Sequence, residues 1–363
     1  MACQTRKISF KKEDGLDFTT ILKERVNNFF KEKGISPKAN FWMWAKSIFL
    51  MGLAVATYVV IMSNVVGVLG FFGLSVLLGF LISIGTMNIA HDALHGAYAS
   101  KSYLNRILGL TMDLSGAISF YWKKEHTVDH HTFTNIADHD SDLDVPIVLR
   151  LCPKAPHRWF HRFQHFYAVF LYSFNLMHWV YVSDLKRIFR VLKNREASPG
   201  KPSRGEVAIM IGFKLLHILL FLGVPLLLIS FPWWIVVLGY VSFLATSGVT
   251  LTVIFQLAHI VENVAFPVPD EGGNLENSFI KHQLTTTSNF ANGNPLVNFL
   301  FGGLNFQIEH HIFPHVCHMH LSKVSPIVKS TAQEFGVPYH ENPSFFSAIR
   351  SHFRTLKKLG KTP

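Results

Sequence analysis

The chain has 363 residues and a net charge of +11; 49% of its residues are hydrophobic, only 16% are charged, and its mean hydropathy is +0.26. Typical soluble domains carry about 25% charged residues, so this composition excludes an ordinary soluble protein and favours a multi-pass membrane protein. The positive charge follows the membrane topology derived below, and we therefore expect no nucleic-acid partner. The three cysteines are scattered and predict neither a disulfide framework nor a CxxC metal pair.

Four apolar stretches are long enough, or nearly so, to cross a bilayer, which takes ~20 residues of helix. They cover residues 47–63, 66–90, 207–229 and 233–256. Because the connections 64–65 and 230–232 are very short, the four spans are expected to form two hairpins. The first residues of the chain lack the apolar core of a cleavable signal peptide.

Lysine and arginine are unevenly distributed around these spans. They concentrate in residues 1–40 and in the loop 182–205, whereas the two hairpin turns contain none. The positive-inside rule therefore predicts a cytosolic N-terminus, central loop and C-terminus. The apolar segment 166–182 is predicted to be an interfacial helix, because a fifth crossing would reverse this charge pattern. Lys214 lies near the cytosolic end of the third span and is expected to extend towards the interface.

We therefore predict an all-α integral membrane protein in three parts. Residues 1–40 form a basic cytosolic segment, residues 41–330 form the membrane domain, and residues 331–363 form a cytosolic C-terminal segment. The charge distribution alone explains the basic isoelectric point, so no acidic polymer is needed to account for it.

Two histidine clusters have helical spacing that suits metal binding. In HDALH, His91 and His95 are four residues apart and share one face of a helix. In HTVDHH, His126 and His130 share a face in the same way, and His131 is turned about 100° away on an α-helix. The second cluster could therefore bind one metal with the pair and reach another with the third ring.

The third cluster is QIEHH, in which Gln307, His310 and His311 lie on one helical face. One histidine pair is weak evidence for a metal, since such pairs are commonly structural. Three clusters in one chain are stronger evidence, and imidazole ligands without cysteine suit iron, copper, nickel or zinc. Eight or nine ligands are too many for one ion, so we predict two metal ions.

HDALH, HTVDHH and QIEHH, in this order, resemble the three histidine boxes of membrane fatty acid desaturases. The leading Gln307 and the stretches HHTFTN and LNFQIEHHIFP are similar to the front-end branch, of the delta-6 and delta-5 type. The resemblance covers roughly residues 45–330. It implies a four-span helical protein with interfacial helices and a cytosolic cap that contains the boxes and a di-iron centre.

The resemblance also implies one further ligand after the fourth span, a position that His259 fits. The implied catalytic residues are the eight histidines of this set, and Gln307 joins them as a metal ligand. The implied metal ligands are His91, His95, His126, His130, His131, His259, Gln307, His310 and His311. Within the boxes, three acidic residues are expected to accept hydrogen bonds from ligand imidazoles. They are Asp92, Asp129 and Glu309.

Further acidic residues follow the second box, and they begin like a calcium loop. Leu143 and Leu149 stand where such a loop needs glycine and glutamate, so we reject a calcium site. These carboxylates are instead expected to orient ligand imidazoles or to bind a basic surface. They are Asp138, Asp140, Asp142 and Asp144.

The implied reaction is O2-dependent desaturation of a fatty acyl chain, carried by coenzyme A or by a membrane lipid. The sequence contains no HPGG-type haem-binding stretch, so the electrons are expected from a separate ferredoxin, or from cytochrome b5 with its reductase. Two alternatives stay open. The same scaffold could hydroxylate a lipid, an alkane or a sterol, or the histidines could serve a metal-binding transporter, although a transporter site should lie near the bilayer midplane.

Overall fold

The computed structural model describes residues 8–12, 17–193 and 201–361, and their regular secondary structure is almost entirely helical. This confirms the predicted all-α fold class. The α-helices, in chain order, are α1 (Phe18–Lys33), α2 (Phe41–Met62), α3 (Val68–Gly85), α4 (His91–Leu94), α5 (Ser102–Ser115), α6 (Ser119–Lys124), α7 (His131–Phe133), α8 (Gln164–Ser173), α9 (Asn175–His178), α10 (Asp184–Lys193), α11 (Arg204–Ile218), α12 (Val224–Leu228), α13 (Trp233–His259), α14 (Phe279–Thr286), α15 (Pro295–Leu300), α16 (Gln307–Ile312), α17 (Leu321–Glu334) and α18 (Phe345–Leu359).

Shorter elements join these helices. The π-helical segments are Thr86–Ala90, Glu125–His130, Trp179–Ser183 and Leu219–Gly223. The 3₁₀ turns are Ser141–Leu143, Trp159–Phe163 and His318–His320. Two strands, β1 (Asn289–Phe290) and β2 (Glu341–Asn342), pair in parallel. π-Helical turns are rare and frequently mark functional positions; here one directly precedes the first histidine box and another contains most of the second.

Four helices of the described chain are long and apolar enough to cross a membrane. They are Phe41–Met62, Val68–Leu94, Arg204–Leu228 and Trp233–His259. Each coincides with a predicted span but begins earlier or continues further, because hydropathy detects the hydrocarbon core and misses the polar ends of a helix. The segment 166–182 is not among them, since the helix breaks at Phe174 between α8 and α9.

The chain divides into two compact units. Unit 1 comprises Met1–Asn40, Lys124–Ala168 and Ile254–Pro363, and unit 2 comprises Phe41–Lys123 and Val169–Val253. The predicted domain boundaries at residues 40 and 330 stay a prediction.

The core of unit 1 includes one face of α1. Phe18, Leu22, Val26 and Phe30 recur every four residues and are buried against apolar side chains of α16 and α17. Asp17 caps the helix by accepting a hydrogen bond from the Thr20 amide; its other end turns at a glycine in the left-handed conformation. Burying each such side chain contributes about 1.5–3 kcal/mol.

In unit 2 the two predicted hairpins are joined at one end by Asn64. This residue has a left-handed backbone (φ 57°), which asparagine tolerates better than most residues. Its amide donates to the Leu228 carbonyl at 2.9 Å and accepts from the Ser230 amide at 2.8 Å. The α2–α3 turn is therefore hydrogen-bonded to the end of α12.

Close packing in unit 2 depends on Gly79 of α3. A Cβ at this position would lie 2.4 Å from the Phe243 carbonyl oxygen of α13, so no larger residue fits without a backbone shift. Ser247 donates a hydrogen bond to the Gly79 carbonyl at 2.9 Å. Small and hydroxyl-bearing residues at such crossings are typical of helices that pack within a membrane.

The environment of the Lys214 side chain differs from the prediction. It is buried, and its ammonium pairs with Asp184 at 2.8 Å and donates to the Gly116 carbonyl, instead of extending to the interface. Asp184 also accepts a hydrogen bond from the Ile118 amide at 3.1 Å. The prediction was wrong because the anionic partner lies on α10, in a different part of the sequence.

Candidate metal centre

The second histidine box is wound as a π-helix, Glu125–His130, and not as the predicted α-helix. A π-turn brings residue i+5 back towards residue i. His126 Nε2 consequently lies 3.2 Å from His131 Nε2, and His131 Nε2 lies 3.1 Å from His310 Nε2 of the third box. His131 is therefore not turned away from His126, and three imidazole nitrogens of unit 1 converge.

A second group of imidazoles in unit 1 consists of His130, His259 and His311. All three side chains are buried, and each offers a ligand atom within 4.8 Å of the others. Their ring centroids are 4.6 to 5.0 Å apart. The structure thus brings together residues from the second box, the end of α13 and the third box.

Each imidazole of this second group has its outer nitrogen next to an acceptor from the protein. His130 Nδ1 is 3.0 Å from Asp140 Oδ1, His311 Nδ1 is 3.0 Å from Gln283 Oε1, and His259 Nδ1 is 3.5 Å from the Thr286 carbonyl. Such contacts place the proton on Nδ1 and leave Nε2 as the coordinating atom.

The inner nitrogens are buried and are available to a cation. Within residues 8–12, 17–193 and 201–361, His130 Nε2 and His259 Nε2 have no hydrogen-bond partner. Burying polar atoms without a partner is costly, so these atoms indicate a missing ligand. Imidazole ligands without thiolates suit iron, copper, nickel or zinc. The residues present therefore fit a bound metal.

Asp140 organises the loop that follows the second box. Its Oδ1 contacts His130 and accepts from the Asp142 amide, and its Oδ2 accepts from the Asn135 amide at 2.8 Å. Burial disfavours a charged His130, but the carboxylates of Asp140 and Asp142 outweigh it and raise the pKa of His130 to about 9. Asp138 instead forms a surface ion pair with Lys154. Of the loop acids, Asp140 therefore contacts an imidazole, and Asp138 contacts a surface lysine.

Gln283 of α14 is a site residue that sequence reasoning missed. Its side chain is fully buried, its Nε2 donates to the His131 carbonyl at 2.9 Å, and its Oε1 lies 3.0 Å from His311 Nδ1. Because the amide nitrogen is engaged by a carbonyl, the amide oxygen must face the imidazole. The available signal was a glutamine between Ile280 and Leu284, two apolar residues of the same helix that are buried.

Glu309 does not contact an imidazole, contrary to expectation. It is buried and accepts hydrogen bonds from Asn289 Nδ2 and the Tyr339 hydroxyl, each at 2.8 Å. Pairing of β1 with β2 brings Asn289 close to the segment that contains Tyr339. Burial raises the pKa of Glu309 to about 7. A residue next to a ligand on a helix points about 100° away from it, so Glu309 fixes helix α16 and not a ring.

Of the other two predicted acids, Asp129 also differs from expectation, and the role of Asp92 stays a prediction. Asp129 is only partly buried and has no hydrogen bond to a histidine in the described part of the chain. Asp92 Oδ1 is 3.8 Å from His91 Nδ1, which is too long for a hydrogen bond. Gln307 is buried against His259, and its Nε2 has no hydrogen-bond partner among the described residues.

The first box belongs to unit 2. His91 and His95 lie at the end of the second apolar helix, with ring centroids 4.8 Å apart, as expected for residues four positions apart. Both rings pack against Trp122, at 5.7 and 6.3 Å between centroids. The pair therefore presents two adjacent imidazoles on a rigid helix end.

Similarity to known proteins shows which family the chain belongs to. Residues 67–343 match the family model described as fatty acid desaturase. The sn-1 linoleoyl-lipid 6-desaturases of Arthrospira platensis and Synechocystis sp. are 34% and 36% identical, over 100% and 98% of this chain and 97% and 98% of theirs. An acyl-lipid (8-3)-desaturase of Physcomitrium patens is 36% identical over 95% of this chain and 72% of its own. The chain belongs to the fatty acid desaturase family, and it is a membrane enzyme that desaturates fatty acyl chains.

Proposed function

We propose that the enzyme introduces a double bond into an acyl chain of a membrane lipid in an O2-dependent reaction. We further propose front-end regiochemistry, at delta-6 or delta-5 counted from the carboxyl end. The relatives named above act on acyl groups of lipids, which favours a lipid-bound chain over acyl-coenzyme A as substrate. The leading glutamine of the third box, Gln307, supports the front-end class.

The observation that carries this proposal is the convergence of buried imidazoles in unit 1. We propose two iron ions as the metals. When bound, they would supply the activation of O2 and the oxidant for an unactivated methylene, which no amino-acid side chain provides. The proposed ligands are His91, His95, His126, His130, His131, His259, Gln307, His310 and His311.

The surrounding residues have separate tasks in this proposal. Asp140 and Gln283 hold His130 and His311 in the tautomer that directs Nε2 inwards. Glu309, Asn289 and Tyr339 fix the helix that carries the third box. Burial of the histidines keeps bulk water away from the reacting methylene, which limits side reactions.

We propose that both termini and all histidine boxes lie on the cytosolic side of the membrane. This topology follows from the basic residues in 1–40 and 182–205. A separate carrier, a ferredoxin or cytochrome b5 with its reductase, would then deliver the electrons on that side.

Lipid analysis tests the reaction and its regiochemistry. The full chain is expressed in a host that makes linoleate but no delta-6 products, and the fatty acids are analysed for double-bond position. We expect a triene with a new delta-6 bond, absent from a host expressing the His130→Ala variant. Hydroxylated lipid without a new double bond would overturn desaturation and favour a hydroxylase on the same scaffold.

A further inference from the structure

A surface of unit 1 combines exposed aromatic rings with exposed cations. Trp159, Phe163 and Phe166, which lie in a 3₁₀ turn and at the start of α8, are 70%, 43% and 76% exposed. Large apolar side chains are rarely so exposed in a group without a functional reason. Four cations share this surface. They are Arg158, Arg162, Lys357 and Lys361, and with the three rings they form what we call the aromatic–cationic patch.

The two segments of the patch are held together by buried hydrogen bonds. The Gln164 amide donates to the Leu356 carbonyl at 2.8 Å, and the Arg150 guanidinium donates to the Leu359 carbonyl at 2.7 Å. His157 Nε2 lies 3.0 Å from the Gly360 carbonyl. These contacts engage carbonyls in the last turn of α18 and in the residue that follows it. Hydrogen bonds therefore fix the two segments of the patch relative to each other.

Carboxylates of the described residues do not neutralise the four cations. Among the described residues, none of them has a carboxylate within 4.0 Å. The Arg162 guanidinium lies over the rings of Phe163 and Trp159, at 4.7 and 6.0 Å from their centroids. Burial, followed by the charges of Lys357 and Lys361, lowers the pKa of nearby His165. The patch thus has a positive potential that an anion would relieve.

We propose that the aromatic–cationic patch lies at the membrane–water interface and binds the anionic headgroups of phospholipids. Aromatic residues concentrate at the interface because their rings enter the headgroup region, and basic residues beside them attract anionic lipids. No assigned catalytic or metal-binding residue belongs to the patch, so this inference is independent of the proposed reaction.

A lipid surface fits the patch better than an acidic protein carrier does. Helix α8, which begins in the patch, is too short to span a bilayer and continues with the exposed Phe170 (64%). An acidic carrier would use the cations but would leave the exposed rings of Trp159, Phe163 and Phe166 in water. An interfacial helix of a membrane protein buries them in the headgroup boundary.

Fluorescence quenching by brominated lipids tests the proposal. The full enzyme is placed in nanodiscs of phosphatidylcholine that contain dibrominated phosphatidylcholine or, at equal mole fraction, dibrominated phosphatidylglycerol. The Trp159 contribution is the difference between the parent protein and its Trp159→Phe variant. We expect phosphatidylglycerol to quench this contribution about twofold more strongly, and salt to reduce the difference.

Two fourfold variants separate the patch from total charge. In the first, Arg158, Arg162, Lys357 and Lys361 are changed to glutamine, and the lipid preference should disappear while quenching by brominated phosphatidylcholine persists. That persistence shows that the variant is folded and still seated on lipid. The matched control changes four exposed lysines elsewhere in unit 1 to glutamine and should keep the preference. They are Lys12, Lys23, Lys31 and Lys33.

Three results would overturn the proposal. The first is equal quenching by both brominated lipids, and the second is loss of the preference in the control variant as well. The third is absence of Trp159 quenching by either lipid, which would mean that the patch faces water. If the patch variant then also raised the KM for the reduced electron carrier, the patch would be a docking site for that protein instead.

Discussion

His130 in unit 1 and His217 in unit 2 are both buried histidines, yet their hydrogen bonding differs. Both nitrogens of His217 are engaged, Nδ1 with the Leu114 carbonyl and Nε2 with the Tyr240 hydroxyl, each at 2.9 Å. His130 is engaged only at Nδ1, and its Nε2 has no partner among the described residues. A buried histidine whose two ring nitrogens both form hydrogen bonds within the protein has a structural role. A buried histidine whose inner nitrogen lacks such a bond is a candidate metal ligand.

The largest expected effect on metal content and activity comes from removing the His130 imidazole, whose inner nitrogen has no hydrogen bond among the described residues. His130→Ala should abolish desaturation and reduce bound metal below the content of the parent protein, because one coordinating nitrogen is lost. Metal analysis and lipid analysis of the purified variant measure both effects. His217→Ala is the matched control, and it should keep the metal while lowering the thermal unfolding midpoint. Equal metal loss in the two variants would contradict the distinction between a metal-binding His130 and a structural His217.

The ion pair of unit 2 should affect stability and not chemistry. Lys214→Met removes the nearer of the two cations that pair with buried Asp184 and leaves only Arg187, at 3.4 Å, so it should cost at most about 3–5 kcal/mol of folding free energy. Thermal unfolding in detergent measures the loss, and metal content per folded chain should be unchanged. Adding Asp184→Leu removes the incompletely compensated carboxylate and should restore part of the stability. A double variant no more stable than Lys214→Met would contradict this reading.

Asp140 should control how tightly the metal is held. Asp140→Ala removes the acceptor at His130 Nδ1, and we expect metal affinity to fall about 10–100-fold. Competition with a chelator of known affinity gives the value. Asp140→Asn retains an oxygen that can accept from the ring, so its loss should be smaller. If both variants held metal as the parent does, the carboxylate would have no role at the site.

Substitution of Gln283 is expected to have the smallest effect on metal binding. Gln283→Leu removes the acceptor at His311 and should weaken metal binding about tenfold, the lower end of such effects. Gln283→Glu keeps that acceptor but replaces the donor to the His131 carbonyl with an oxygen, and it should still retain more metal than the leucine variant. A glutamate variant weaker than the leucine variant would show that the bond to the backbone matters more than the tautomer of His311.

The sequence predicted what local patterns determine. The four spans follow from hydropathy, and the three boxes follow from helical spacing of histidines. The π-helix of the second box was not predicted, because its winding depends on the packing of the box and not on a propensity. Glu309 was expected to accept a hydrogen bond from a ligand imidazole because it is adjacent to His310 in sequence. Neighbouring residues on a helix point in different directions, so this expectation was wrong.

Partners that are distant in sequence could not be predicted. Gln283 reaches His311 only because α14 packs beside α16, and Lys214 meets Asp184 only because α10 and α11 are neighbours. Asp140 was one of four candidate acids, and only the fold of its loop distinguishes it from Asp138. Each of these contacts is a tertiary arrangement, which no local pattern determines.

Iron analysis of the purified full chain, together with its activity, tests the central claim most directly. The account predicts about two iron ions per chain in the active enzyme, since the imidazoles of unit 1 form two converging groups. It also predicts that activity falls in step with iron when a chelator removes the metal. Full desaturase activity with fewer than one iron per chain would contradict the account.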